Sequence, residues 1–227
     1  LALQGPKAET ALSRLIPEVA HMAFMDVKTF EHKGAYLWIS RSGYTGEDGY
    51  EISVPSTAAV GLARALLDFT DVEPIGLGAR NSLRLEGGLC LYGNDIDTTT
   101  TPSEACLNWA IQKVRRAAGA RAGGFPGADT VLSQLKHGAD RKRVGLRPTG
   151  RAPMRDGVQL FADADSDHPI GTITSGGFGP TVQAPIALGY VQTAYAAPGT
   201  TVYGDVRGKR LPARIVPLPF RPSTYRK

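Results

Sequence analysis

Apolar and polar residues follow helical and strand-like spacings up to about residue 138. Helices are predicted at 7–15, 57–69, 77–86 and 128–136, with a further helix starting at 103, and in 57–69 the apolar residues recur at helical spacing. Short runs rich in strand-forming residues predict strands at 1–5, 27–31, 35–40 and 50–54. We therefore expect an α+β arrangement in this part of the chain.

Beyond residue 138 the pattern changes to short strands separated by glycine and proline. The predicted strands are 144–146, 158–161, 171–175, 187–191, 201–206 and 214–218. Short strands separated by glycine and proline turns are typical of a small antiparallel barrel or sandwich. The glycine-rich run after Ser175 lacks the lysine of a phosphate loop, so it is interpreted as a strand turn. We place a boundary near Gly138, which gives domains 1–138 and 139–227.

Composition and charge narrow the function classes. The 227 residues carry a net charge of +5, which is compatible with an anionic substrate or partner. The basic runs lack interleaved aromatic residues, so we expect solvated surface and no nucleic acid. No apolar run approaches the roughly 20 residues that cross a bilayer, so no membrane segment is predicted. Cys90, Cys106 and the scattered histidines lack ligand spacing, so neither a disulfide framework nor a metal site is predicted.

The loop at 41–49 carries three glycines and the adjacent carboxylates Glu47 and Asp48. Glycine lets such a loop adopt backbone conformations that other residues avoid. A carboxylate can accept two parallel hydrogen bonds from neighbouring N–H donors of a flat heterocycle. The alternative is that both carboxylates cap a turn or remain in solvent.

The helix predicted at 77–86 places Arg80 and Arg84 on one face, because they are four residues apart. Arginine binds planar polar or anionic ligands through its rigid fork of donors. A surface ion pair is the alternative for Arg80. If the fold brings this helix to the 41–49 loop, the two bracket a pocket for a flat polar ligand.

Three long motifs carry a resemblance to a known family. They are Gly-Tyr-Thr-Gly-Glu-Asp-Gly-Tyr-Glu-Ile at 43–52, Gly-Leu-Gly-Ala-Arg-Asn-Ser-Leu-Arg-Leu-Glu at 76–86 and Leu-Cys-Leu-Tyr-Gly-Asn-Asp-Ile-Asp at 89–97. The chain resembles the T-protein family of the glycine cleavage system, the tetrahydrofolate-dependent aminomethyltransferases. The match continues in order through 143–146, 152–155, 170–176 and 187–191. The Gly-Tyr-Thr-Gly-Glu element at 43–47 is shared with folate-dependent relatives, such as the C-terminal parts of sarcosine and dimethylglycine dehydrogenases.

The resemblance implies a fold and a set of site residues. The fold is α+β, with a mixed-sheet folate-binding core followed by a small antiparallel β-barrel. The folate-contacting glutamate, arginine and tyrosine of the family match Glu47, Arg80 and Tyr225. Trp109 and Arg155 are expected to line the same cavity. Without the resemblance, Trp109 would be interpreted as a core residue and Tyr225 as an aromatic residue of a frayed terminus.

The resemblance also implies a reaction. The lipoyl arm of a partner, the H-protein, delivers an aminomethyl group, ammonia is released, and tetrahydrofolate accepts the one-carbon unit without a metal. The compartment would be the mitochondrial matrix in a eukaryote or the cytoplasm in a bacterium. One alternative is a folate-binding module without transferase activity. A plain interaction module that binds no folate is another.

The start of the chain departs from the family pattern. Family members carry a further stretch before the part that matches Leu1, with an aspartate that is thought to position the folate amine and the aminomethyl group. No residue here matches that aspartate, so no catalytic residue is predicted. Leu1-Ala2-Leu3 has the character of a buried strand. We therefore expect that the N-terminal part is missing and that the chain alone transfers little.

Overall fold

The computed structural model describes residues 1–226. By internal contacts the chain divides into two compact units. The first comprises residues 1–89 together with the end of the chain from Arg221, and the second is Cys90–Phe220. The domain boundary near Gly138 stays a prediction.

The first unit is a four-stranded sheet with helices, which confirms the α+β class. Its elements are β1 (Ala2–Gln4), α1 (Ala8–Ser13), β2 (Val27–His32), β3 (Ala35–Ser40), β4 (Gly49–Ser53), α2 (Ser56–Leu67) and α3 (Leu77–Glu86). The strand order is β1-β4-β3-β2, and each neighbouring pair is antiparallel. The parallel pairing that a mixed sheet implies is therefore not among these four strands.

Alternating side chains give this sheet one buried face. Leu37 and Ile39 of β3 and Ile52 of β4 are at most 3% exposed and pack in one cluster with Leu12 of α1 and Leu66 of α2. Successive side chains of a strand point to opposite faces, which leaves the residues between them on the other side. The helices α1 and α2 therefore pack on an apolar face of the sheet. The loop between β3 and β4 connects two adjacent strands of this sheet.

The second unit contains a closed six-stranded antiparallel barrel, as predicted. After α4 (Ala128–His137), its strands are β5 (Arg141–Pro148), β6 (Gln159–Phe161), β7 (Gly171–Gly179), β8 (Ala184–Gln192), β9 (Thr201–Val206) and β10 (Lys209–Val216). The order around the barrel is β10-β5-β8-β7-β6-β9. Each of these six strands pairs with a neighbour on both sides, and the interior is filled by apolar residues such as Leu146, Leu160 and Val202.

The structure corrects two local predictions. The helix expected from 103 onward is wrong, because only the short 3-10 turns Asn108–Ala110 and Lys113–Arg115 form there. Cys106 has φ 58°, a left-handed conformation that interrupts a right-handed helix. The strand turn after Ser175 is also wrong, because β7 continues to Gly179. Glycine is needed at Gly176, since a Cβ there would lie 1.7 Å from the Met154 carbonyl oxygen.

Candidate functional site

The loop between β3 and β4 rests against α3 and thereby joins the two motifs that the sequence singles out. Gly46 has φ +75°, and a Cβ built on it would lie 3.2 Å from the Cα of Gly87 at the end of α3. The Arg80 guanidinium lies 4.7 Å from the ring centroid of Tyr44, a cation–π contact. The backbone contact and the cation–π contact hold the loop on the helix.

Glu47 and Arg80 both line a cavity of about 740 Å³ in the first unit. Its walls come from β1, the start of α1, the end of α2 and the segment before α3. Most of the lining is apolar, and Gln4 adds an amide beside the carboxylate and the guanidinium. Concave apolar pockets with a few convergent polar groups are typical of small-molecule sites. The arrangement suits a flat ligand with a hydrogen-bonding edge.

Asp48, the neighbour of Glu47, has a structural role instead. Arg41 is 1% exposed, and its Nε and Nη2 donate to the two carboxylate oxygens of Asp48 at 3.0 and 2.5 Å. Arg41 also donates to Glu9 at 2.6 Å and to the Met22 carbonyl oxygen at 2.8 Å. Burial alone would lower the pKa of Arg41, but the bonds to Asp48 and Glu9 raise it above its usual value. The carboxylate pair is thus split, and Asp48 anchors the loop.

The two arginines of α3, Arg80 and Arg84, also have different roles. Arg84 is 2% exposed, and its Nε donates to Asn81 Oδ1 at 2.8 Å. Its Nη1 donates to the Leu89 carbonyl oxygen at 3.2 Å. Arg84 therefore stabilises the end of the helix, while Arg80 is the arginine that reaches the cavity.

Gln4 organises the loop, and the sequence offers no signal for it. Its Nε2 donates to the carbonyl oxygens of Ser42 at 3.1 Å and Tyr50 at 3.3 Å. Its Oε1 accepts from Thr45 Oγ1 at 3.3 Å. A Cβ at Gly43 would lie only 1.8 Å from that oxygen. A lone glutamine in a short strand is common, so only the fold identifies its role.

Tyr225 lies beside the loop. Its ring stacks on Phe24, with centroids 4.2 Å apart and an angle of 17° between the planes. Burial raises the pKa of Tyr225, and a hydrogen bond with the Gly46 backbone opposes that shift. Tyr225 is not one of the described residues that line the cavity. Its neighbours Arg221 and Thr224 contact Glu47, which the sequence did not predict.

Trp109 and Arg155 belong to the second unit. Trp109 lies on the first 3-10 turn with 76% of its surface exposed. Arg155 is exposed and donates from Nη1 to the Gly176 carbonyl oxygen at 3.3 Å. Their role in lining the ligand cavity stays a prediction.

Two general features of the described residues bear on function. Between residues 1 and 226, no helix is both long and apolar enough to cross a membrane. Over the same range, no cluster of three or more histidine, cysteine, aspartate or glutamate side chains is arranged to hold a metal ion. Separately from these two findings, Glu47 and Arg80 line the same cavity of the first unit.

The fold defines a class of protein that combines an α+β unit, here with a cavity, and a closed antiparallel barrel. Residues 1–115 match the family model described as the GCVT N-terminal domain. Residues 141–221 match the Glycine cleavage T-protein C-terminal barrel domain. The chain therefore belongs to the glycine cleavage T-protein family, and the family resemblance stated from the sequence is confirmed.

Individual relatives agree with this assignment. Proteins named "Aminomethyltransferase, mitochondrial" from Flaveria anomala and Dictyostelium discoideum are 46% and 43% identical, each across 100% of this chain. The chain spans 55% and 57% of their lengths. The crystal structure of the glycine cleavage system aminomethyltransferase T from Bartonella henselae superposes with a TM-score of 0.89 at 46% identity. The match covers 100% of this chain and 60% of the Bartonella henselae chain.

Proposed function

We propose that this chain supplies the tetrahydrofolate-binding groups of an aminomethyltransferase of the glycine cleavage system. The observation that carries the proposal is that Glu47 and Arg80 line one cavity on elements that contact each other. Family membership supports the same reaction class. Because the chain spans little more than half of its relatives' length, the activity of the whole protein is part of this proposal.

Glu47 would bind the amino group and ring N–H of the pterin, since an ionised carboxylate accepts paired donors. Arg80 would hold a polar edge of the ligand with its planar fork. Tyr225, Trp109 and Arg155 are proposed as further folate contacts on the strength of the family resemblance.

The proposed reaction passes a one-carbon unit from the aminomethyl-lipoyl arm of the H-protein to tetrahydrofolate, with release of ammonia. Two reactants must be held at near-attack geometry, which by itself supplies several kcal/mol of the barrier. The hydrogen bonds between Arg41 and Asp48 support a role in holding the reactants, because they limit the movement of Glu47, the residue before Asp48. The net charge of +5 would suit an acidic carrier protein.

The names of the relatives support a proposal on the compartment. Several that match are named as mitochondrial aminomethyltransferases. We therefore propose the mitochondrial matrix if the source is a eukaryote, and the cytoplasm if it is a bacterium.

Single-turnover formation of methylenetetrahydrofolate from an aminomethylated carrier protein tests the proposal. The assay compares this chain with a version extended upstream, and transfer by either one supports the function. Absence of transfer from both, with tetrahydrofolate bound, would favour the second candidate. That candidate, a folate-binding module without transferase activity, is suggested because Glu47 and Arg80 offer binding chemistry in themselves. Absence of folate binding from both would contradict the two candidates together.

A further inference from the structure

The last residues of the chain fold back onto the loop that carries Glu47. We call residues 221–226 the carboxyl-terminal segment. Its backbone is fixed twice, because Thr224 N donates to the Gly46 carbonyl oxygen at 3.0 Å and Phe24 N donates to the Arg226 carbonyl oxygen at 2.7 Å. The Phe24–Tyr225 ring stack lies between these two bonds along the segment. The segment is therefore a docked part of the first unit.

Two side chains of this segment hold the Glu47 carboxylate, one at each oxygen. Arg221 Nη2 forms an ion pair with Oε1. Thr224 Oγ1 donates to Oε2 at 2.5 Å. The side chains of Arg221 and Glu47 are only 19% and 14% exposed, so solvent screens this pair less than an ordinary surface pair. The carboxylate is held in both position and rotation.

These contacts leave Glu47 able to bind a ligand. The two oxygens of a carboxylate offer about four acceptor positions. Arg221 takes one position on Oε1, and Thr224 takes one on Oε2. These two contacts occupy one position on each oxygen, and Glu47 lines the cavity in which a ligand with paired N–H donors would bind. The segment orients the carboxylate and does not replace the ligand.

We propose that Arg221 and Thr224 are positioning residues that hold Glu47 in the orientation that binds the pterin edge of tetrahydrofolate. The inference rests on the proposed function. A carboxylate that is already held in its binding orientation loses less conformational entropy when the ligand binds, and the affinity is therefore higher. Arg221 supplies charge and direction at one oxygen, and Thr224 fixes the rotation of the group at the other.

The test measures the Kd for tetrahydrofolate by anaerobic calorimetry on the full chain and four variants. Arg221→Met and Thr224→Ala should each raise the Kd by about five- to thirtyfold. Thr224→Ser keeps the hydroxyl and should restore the Kd to within about twofold. Arg64→Met removes an exposed arginine of α2 and serves as the charge control, with an unchanged Kd. Urea unfolding of each variant shows which of them remain folded.

The outcomes separate this inference from the proposed function. Unchanged Kd values in Arg221→Met and Thr224→Ala, beside normal binding by the wild type, would overturn the positioning role alone. Tighter binding by Arg221→Met would overturn it as well, because the segment would then compete with the ligand. If Arg221→Met fails to fold, the comparison of Thr224→Ala with Thr224→Ser decides. A folded wild-type chain that does not bind tetrahydrofolate would overturn the proposed function together with this inference.

Discussion

Gly46 and Gly87 approach each other so closely that a methyl group on either would press against the backbone of the other. A Cβ on Gly46 would lie 3.2 Å from Gly87 Cα, and one on Gly87 would lie 3.3 Å from Gly46 Cα. This contact joins the loop that carries Glu47 to the end of the helix that carries Arg80. The separation of the two cavity residues therefore depends on two positions that have no side chain.

Gly46→Ala should lower the free energy of unfolding by about 1–2 kcal/mol, because an L side chain is strained at φ +75°. It should also weaken ligand binding by displacing Glu47. Urea unfolding and calorimetric titration with tetrahydrofolate measure the two effects. Gly61→Ala is the matched control, since its Cβ meets nothing within 4 Å. That change should stabilise α2 by about 0.5–1 kcal/mol. Equal stability of Gly46→Ala and the wild type would contradict the argument.

Glu47→Gln should weaken tetrahydrofolate binding by about 1–3 kcal/mol. An amide offers one acceptor oxygen, and its NH₂ group would face the donors of the ligand. Calorimetric titration measures the change, with Glu31→Gln, an exposed residue of β2, as the control. Unchanged affinity in Glu47→Gln would remove this residue from the site.

Arg80→Lys should behave as a damaging change even though it keeps the charge. Lysine lacks the planar fork that stacks on Tyr44 and binds a polar edge bidentately. We expect kcat/KM for aminomethyl transfer to fall about three- to tenfold in a transfer-competent protein. Arg64→Lys on the exposed face of α2 is the control. Full kcat/KM in Arg80→Lys would mean that the residue acts only as a distant charge.

The sequence predicts the fold well where one periodicity dominates. Strands β2 and β3, helix α3 and the barrel strands follow from alternation, helical spacing and turn residues. It fails around Cys106, because apolar residues there recur at helical spacing while the backbone turns left-handed. Periodicity reports which residues are apolar, and it contains no information on such a local reversal.

Some residues of the candidate site can be predicted from the sequence, and others can be found only in the structure. Glu47 and Arg80 stand in long motifs, so the sequence alone is enough to single them out. Gln4, Arg221 and Thr224 cannot be found in this way, because their contacts span large separations in the chain. Thr224 and Glu47 are 177 residues apart, and Gln4 and Ser42 are 38 apart. Only the docking of the chain end and of β1 brings these groups to the loop.

Acid should destabilise the first unit partly through Glu9, whose carboxylate accepts from both Arg41 and Arg226. Burial alone would raise the pKa of Glu9, but these two arginines outweigh it and lower the pKa below 4.5. Because the folded carboxyl binds protons less readily than the unfolded one, its contribution is present above pH 4.5. That contribution is lost as the pH falls through the lowered pKa.

Glu9→Gln should therefore lower the free energy of unfolding near neutral pH and make its decline below pH 4.5 shallower. Urea unfolding at a series of pH values from about 7 to about 3 measures both effects. Glu18→Gln, at an exposed position, should keep the wild-type decline. If Glu9→Gln and the wild type decline in parallel, Glu9 does not contribute to the acid sensitivity.

Asp95 ties the segment after α3 to the barrel within the second unit. Its carboxylate accepts from Ser175 Oγ at 2.9 Å, from the Leu91 backbone N–H at 2.8 Å and from the Thr174 hydroxyl. Its own carbonyl oxygen accepts from the Tyr190 hydroxyl at 2.7 Å. The residue is 1% exposed, so these bonds replace the water that a carboxylate requires.

Asp95→Asn should destabilise the barrel unit by about 1–3 kcal/mol. The substitution keeps the shape but turns one acceptor oxygen into an NH₂ group, which then faces a donor and leaves a buried bond unmade. Denaturant unfolding followed by near-UV circular dichroism measures the loss, since the packing of Tyr190 contributes to that signal. Asp167→Asn, at an exposed position, is the matched control and should unfold like the wild type. If the two variants unfold at the same urea concentration, the Asp95 carboxylate contributes nothing beyond a neutral amide, and its charge is not what joins this segment to the barrel.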